Sequence, residues 1–161
     1  MEDIARSAGL TRKTLYNHFA SKEDIAYALI AAVEASQAGY RARMAKGENA
    51  IDLIQHVLLQ SAHWCMANPA LARLALSPAS RPTRTPPGDR PSFQGLMRDL
   101  VSLGQQQSLI RSDRDADFMA LVLLAVYGQA MLNILAGEPF DEARIRDLVS
   151  ILVEGIGPQA N

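Results

Sequence analysis

The chain holds one cysteine in 161 residues, Cys65. No intramolecular disulfide can form, so the fold must rest on packing alone, and a reducing compartment suits it. Runs of alternating β-branched residues are missing, and so are the two-residue turns of hairpins, which excludes a sheet-based architecture. There is no glycine-rich phosphate loop and no Gly-x-Ser-x-Gly elbow. His63 and Cys65 are neighbours on one stretch of chain rather than a positioned nucleophile and base. His56 and His63 are seven apart and lack the further close-spaced ligands that zinc requires. An enzyme, a metal site and a bound cofactor are therefore not expected. The first residues are charged and amphipathic rather than an apolar run behind a basic start, so no signal peptide is expected.

What is present is apolar and balanced in charge. Hydrophobic residues make up 48% of the chain, enough for a sizeable core, and the formal net charge is −1. The charges are not evenly spread. Residues 1–46 hold seven basic and five acidic side chains, whereas residues 47–161 hold nine and twelve. From Ala5 to Lys22 there are four basic residues, Arg6, Arg12, Lys13 and Lys22, and no acid. A local basic patch on a near-neutral chain is how a small nucleic-acid contact surface looks. Residues 118–137 carry no charge and meet the length rule for a membrane span. Gly128, Gln129 and Asn133 interrupt that run and acids flank it, so a helix buried in a bundle or dimer interface is expected instead.

The periodicity is helical nearly throughout, and the expected fold class is all-α. A first helix covers about 2–8, with Ile4, Ala5 and Ala8 on one face. Gly9 supplies a left-handed turn. Thr11 caps a second helix that runs to about Phe19 and directs Leu15 and Phe19 inward. Ser21 caps a third helix, with Asp24 as its capping-box partner, running to about Ala45 and pointing Ile25, Leu29 and Val33 to the core. A fourth spans about 49–67. Asn68-Pro69 ends it and restarts a short helix, since proline suits a first helical position. Residues 78–91 hold five prolines and three arginines and read as a loop. Helices follow over about 92–108, from near Asp113 to 136, and from Asp141 to a close at 155–158. The last has Ile145, Leu148, Val149 and Leu152 at the spacing of one helix face.

The stretch EDIARSAGLTRKTLYNHFASK, residues 2–22, reads as helix, tight turn, helix and the start of a third helix. A helix that reads the major groove must expose polar side chains on one face and anchor the other. Here Arg12, Lys13, Thr14, Tyr16 and Asn17 are polar, while Leu15 and Phe19 are apolar. Arg12 has the side chain to pair with guanine, Thr14 or Tyr16 to touch a thymine methyl or a phosphate, and His18 and Lys22 suit phosphates. By composition alone, a solvated polar helix face is the commoner reading of any one such segment.

The string DIARSAGLTRKTLYNHFASKEDI resembles the DNA-binding signature of the tetracycline-repressor (TetR) family of bacterial regulators. The resemblance lies in Ala8-Gly9-Leu10, Thr14-Leu15-Tyr16, His18-Phe19 and Ser21-Lys22-Glu23, and covers about 25 residues. A later pattern, 104–115 with Leu109-Ile110-Arg111, is similar to the one that precedes the family's dimerisation helices. The resemblance implies a helix-turn-helix DNA-binding domain at 1–29 joined to a helical effector-binding and dimerisation domain at 30–161. It implies DNA contacts from Thr11, Arg12, Lys13, Thr14, Tyr16 and Asn17, with His18 and Lys22 on phosphate. It also implies a homodimer pairing about 114–136 and 141–156 of each copy in a four-helix bundle. Phe118, Leu121, Val122, Leu124 and Ala125 cover more than one helix face, which such a bundle would bury.

The same resemblance places a small-molecule effector pocket in the helical body. Met and aromatic side chains suit an adaptable apolar site, which makes His63, Trp64, Met66, Met97, Tyr127 and Met131 its candidates, although plain core packing accounts for each as well. The expected function is a ligand-responsive transcriptional regulator, a repressor, that binds a palindromic operator as a homodimer in the cytoplasm, with no membrane partner. In the family a further helix precedes these residues and packs on Ile4, Leu15 and Phe19, so the DNA-binding domain is expected to lack its first helix. The alternative is a dimeric small-molecule-binding helical protein that has lost DNA binding through that truncation.

Overall fold

The computed structural model describes residues 38–76 and 92–155, together with Thr11, Lys13 and Asn17. The helices expected over 2–8 and 11–19, most of the third helix and the proline-rich segment 78–91 lie outside the described residues. Six helices are described: α1, Ala38–Ala45; α2, Ala50–Ala67; α3, Pro69–Leu76; α4, Phe93–Gln106; α5, Ala116–Ala136; and α6, Glu142–Glu154. There is no strand among the described residues, and the fold is all-α.

Local chemistry explains most of the boundaries. The Asn49 side chain accepts from the Ile51 and Asp52 amides at the start of α2. Ser92 accepts from Gly95 N–H, Asp115 from Phe118 N–H and Asp141 from Ala143 N–H at the starts of α4, α5 and α6. Each takes up an amide that has no partner inside its own helix. Asn68 closes α2 and Pro69 opens α3 in the next residue. Gly137, at φ 126°, ends α5 in a conformation that a Cβ resists.

The start of α5 lies later than the acids at 113–117 suggest. Asp113 does not join the helix; its carboxylate takes the Arg111 guanidinium through hydrogen bonds of 2.6 and 2.7 Å. Gln105 ties the same connection to α4, donating to the carbonyls of Arg111 at 3.0 Å and Arg114 at 2.8 Å. The helix can begin only beyond this knot, at Ala116.

The core is one apolar cluster. Leu53, Ile54, Val57 and Leu58 from α2 meet Leu96, Met97 and Leu100 from α4 and Ile145 and Val149 from α6. Helix α5 crosses them all, packing on α2, α3, α4 and α6. Its buried side, Ala120, Leu123, Tyr127, Met131 and Leu135, follows the three-and-four spacing of a helix face. It is the one helix among the described residues long and apolar enough to cross a membrane, a test that the central helix of a bundle also passes.

Candidate ligand body and its link to the DNA-reading segment

Helix α1 is the part of the body nearest in sequence to the N-terminal segment, and several contacts hold it. Tyr40 is buried; its hydroxyl donates to Gln60 Oε1 on α2 at 2.7 Å. Its ring lies 5.9 Å from that of His56, and the Arg43 guanidinium sits 5.5 Å from its centroid. Arg41 reaches Asp99 on α4 at 3.2 Å. The turn between α1 and α2 is clasped by one side chain from the end of α4. Gln107 Oε1 accepts from Ala50 N–H at 2.9 Å, while its Nε2 donates to the Glu48 carbonyl at 2.8 Å and the Gly47 carbonyl at 3.3 Å. Helix α1 is thus tied to both α2 and α4. Sequence reasoning missed Tyr40 and Gln107, because neither stands in a motif and both act through partners 20 or more residues away.

The effector candidates fall into two groups. Met97 and Met131 are wholly buried, and Tyr127 is buried with its hydroxyl donating to the Leu58 carbonyl at 3.1 Å. That burial pushes the Tyr127 phenol well above its ordinary range. Trp64 packs half-buried against the same core. His63 and Met66 lie instead on the outer side of α2. His63 Nε2 meets Glu142 Oε1 at 2.9 Å and its ring stacks edgewise on Phe140 at 5.3 Å, while Met66 is exposed. Four of the six thus gather in or against the core and two do not.

A cleft of about 270 Å³ lies elsewhere, between α2, α4, α5 and α6. Its floor is the buried Ile54, Val101, Ile110, Leu123 and Val149. Arg111, Arg114, Phe118 and Val122 stand at its rim. None of the six effector candidates lines it. Sequence patterning could not locate it, because its floor residues are ordinary core positions on four separate elements. Among the described residues no group of His, Cys, Asp and Glu could hold a metal ion.

On the outer surface α5 and α6 leave apolar side chains uncovered. Phe118 is 60% exposed, Leu121 46%, Val126 43% and, on α6, Ile151 50%. In the N-terminal segment Thr11, Lys13 and Asn17 are exposed, and Lys13 and Asn17 are helical. Arg12, Thr14, Tyr16, His18 and Lys22 lie outside the described residues.

Comparison with known proteins agrees at both ends of the chain. Residues 1–29 match the family model described as bacterial regulatory proteins, tetR family. No curated protein matches the chain. Two crystal structures of gamma-butyrolactone receptors, both ArpA-like proteins, are similar in fold. One is 27% identical, with a TM-score of 0.51 over 94% of this chain and 83% of that one. The other is 25% identical, with a TM-score of 0.51 over 94% and 84%. Residues 1–29 thus resemble the DNA-binding segment of the tetR family, and the helical body is similar in fold to that of the two receptors.

Proposed function

We propose that the chain is a repressor that binds a palindromic operator as a homodimer and leaves it when a small effector enters the body. The observation that carries this reading is the match over residues 1–29, the segment that holds the exposed Lys13 and Asn17. In this reading 1–29 form the DNA-binding domain and 30–161 the effector-binding and dimerisation domain. Thr11, Arg12, Lys13, Thr14, Tyr16 and Asn17 contact the groove, and His18 and Lys22 hold phosphate. The uncovered apolar faces of α5 and α6 pair with those of a second copy, burying Phe118, Leu121, Val126 and Ile151. Two readers then stand in successive major grooves, with half-site centres roughly 34–36 Å apart or somewhat more.

The similar structures are receptors for gamma-butyrolactones, which supports a compact effector built on a lactone ring. Trp64, Met97, Tyr127 and Met131 are the interior groups suited to it. Entry between α2 and α5 would break the bond from Tyr127 to the Leu58 carbonyl and displace α2, which carries the partners of Tyr40 on α1. Ligand affinity and operator affinity would then oppose each other reciprocally.

Fluorescence anisotropy with fragments flanking the gene tests the reading. Binding should fall steeply with salt, and Arg12→Ala and Tyr16→Ala should each weaken it by about tenfold or more. A gamma-butyrolactone should release the DNA. Absence of binding to every fragment, or equal binding by both variants, would overturn it.

A further inference from the structure

We infer that the cleft between α2, α4, α5 and α6 is a second ligand site, which takes an amphipathic molecule with one apolar chain and one anionic head. Its volume of about 270 Å³ is near the lower end for small-molecule sites, and it would hold roughly nine waters at liquid density. The floor offers such waters nothing to bond. Ile54, Val101, Ile110, Leu123 and Val149 are all apolar and all buried. An apolar chain gains there what water loses.

The head group follows from the rim. Arg111 and Arg114 both line the cleft, and the nearest carboxylate is Asp113. Asp113 is committed to Arg111 through both of its oxygens, and stands 3.7 Å from Arg114 Nε, beyond hydrogen-bond length. Asp115 is taken up as the α5 cap, and Asp117 lies toward Arg98 on α4. Two guanidiniums and no carboxylate line the cleft, so the charge facing an occupant is positive; Asp113 holds Arg111 closely and Arg114 more loosely. A planar guanidinium pairs best with a carboxylate or a similar oxyanion. A medium-chain carboxylate matches both the floor and the mouth.

The site is separate from the interior around Trp64 and Tyr127. Phe118 and Val122 belong also to the face assigned to a second copy, but the floor and Arg114 are the chain's own, so the inference does not rest on dimerisation. Occupancy has a route to α1. Ile110, Arg111 and Arg114 lie on the connection that begins at Gln107, the residue that clasps the α1–α2 turn.

Titration calorimetry of the full chain with octanoate, octanol and acetate tests this. Octanoate should bind, octanol about tenfold more weakly, and acetate not at all. Arg114→Gln, a change at an exposed side chain, should weaken octanoate about tenfold and leave octanol unchanged. Val101→Trp, which fills the floor, should abolish binding of both. The inference is overturned if octanoate gives no binding, or if Arg114→Gln leaves the octanoate affinity unchanged. It is equally overturned if octanoate still binds a Val101→Trp chain of unaltered helical circular dichroism. Dimerisation is read separately by sedimentation, so neither reading's failure can be mistaken for the other's.

Discussion

Gly104 shows what one missing side chain permits. It sits near the end of α4, where a Cβ would meet Ile110 Cδ1 at 2.6 Å, Ile110 Cγ1 at 2.9 Å and Ala50 Cβ at 3.3 Å. Alanine would gain about 0.5–1 kcal/mol in helix propensity. Overpacking costs about 1–3 kcal/mol, and here both Ile110 and the first residue of α2 would have to yield. The second effect wins, so Gly104→Ala should lower stability by about 1–2 kcal/mol, read from urea unfolding. An unchanged midpoint would mean that Ile110 turns aside freely. Cys65 makes a quieter point. Burial pushes its thiol up to about 11, which leaves almost no thiolate at neutral pH. It behaves as a small apolar side chain of the core, next to Ser61 and near Tyr127.

At the scale of elements, caps govern where helices start. Asp115→Ala removes the acceptor for Phe118 N–H and a negative charge from the positive end of α5. A loss of about 1 kcal/mol is expected in chemical unfolding, with hydrogen exchange rising first at the amides of residues 117–119. Exchange unchanged at Phe118 would rule out the capping role. Such caps are why the element order was legible beforehand: Asn49, Ser92, Asp141, the Asn68-Pro69 pair and Gly137 each act through neighbours a few residues away. The start of α5 was not legible to the same degree. Asp113 and Asp115 are chemically alike, and only the positions of Arg111 and Gln105 decide which of them caps. The cleft was less legible still. Nothing distinguishes Val101 or Val149 from any other buried valine until four elements have come together. The outward side of α2 that carries His63 and Met66 was not legible either, because residue type does not tell which side of a helix faces solvent.

For the molecule as a whole, the character of α5 decides most. A helix apolar on every side needs cover on every side. Its own chain covers Ala120, Leu123, Tyr127, Met131 and Leu135 and leaves Phe118, Leu121 and Val126 exposed. Leu121→Glu separates a second copy from ordinary surface. Within one chain Leu121 is 46% exposed, so the change should cost within about 0.5 kcal/mol. Across a dimer seam it would bury two unpaired charges, and sedimentation equilibrium should show the protomer mass where the parent shows twice that mass. An unchanged mass would place the seam elsewhere. The clasp at Gln107 has a mechanical meaning on the same scale. Three hydrogen bonds from one amide hold the bend between α1 and α2, so α1 is pinned at its far end while its near end leads toward the N-terminal segment. Tyr40 on Gln60 and Arg41 on Asp99 grip the other end, so the helix is held along its length rather than hinged. A shift of α2 or α4 would therefore carry α1 as one piece, and the chain that leads to the N-terminal segment would move with it.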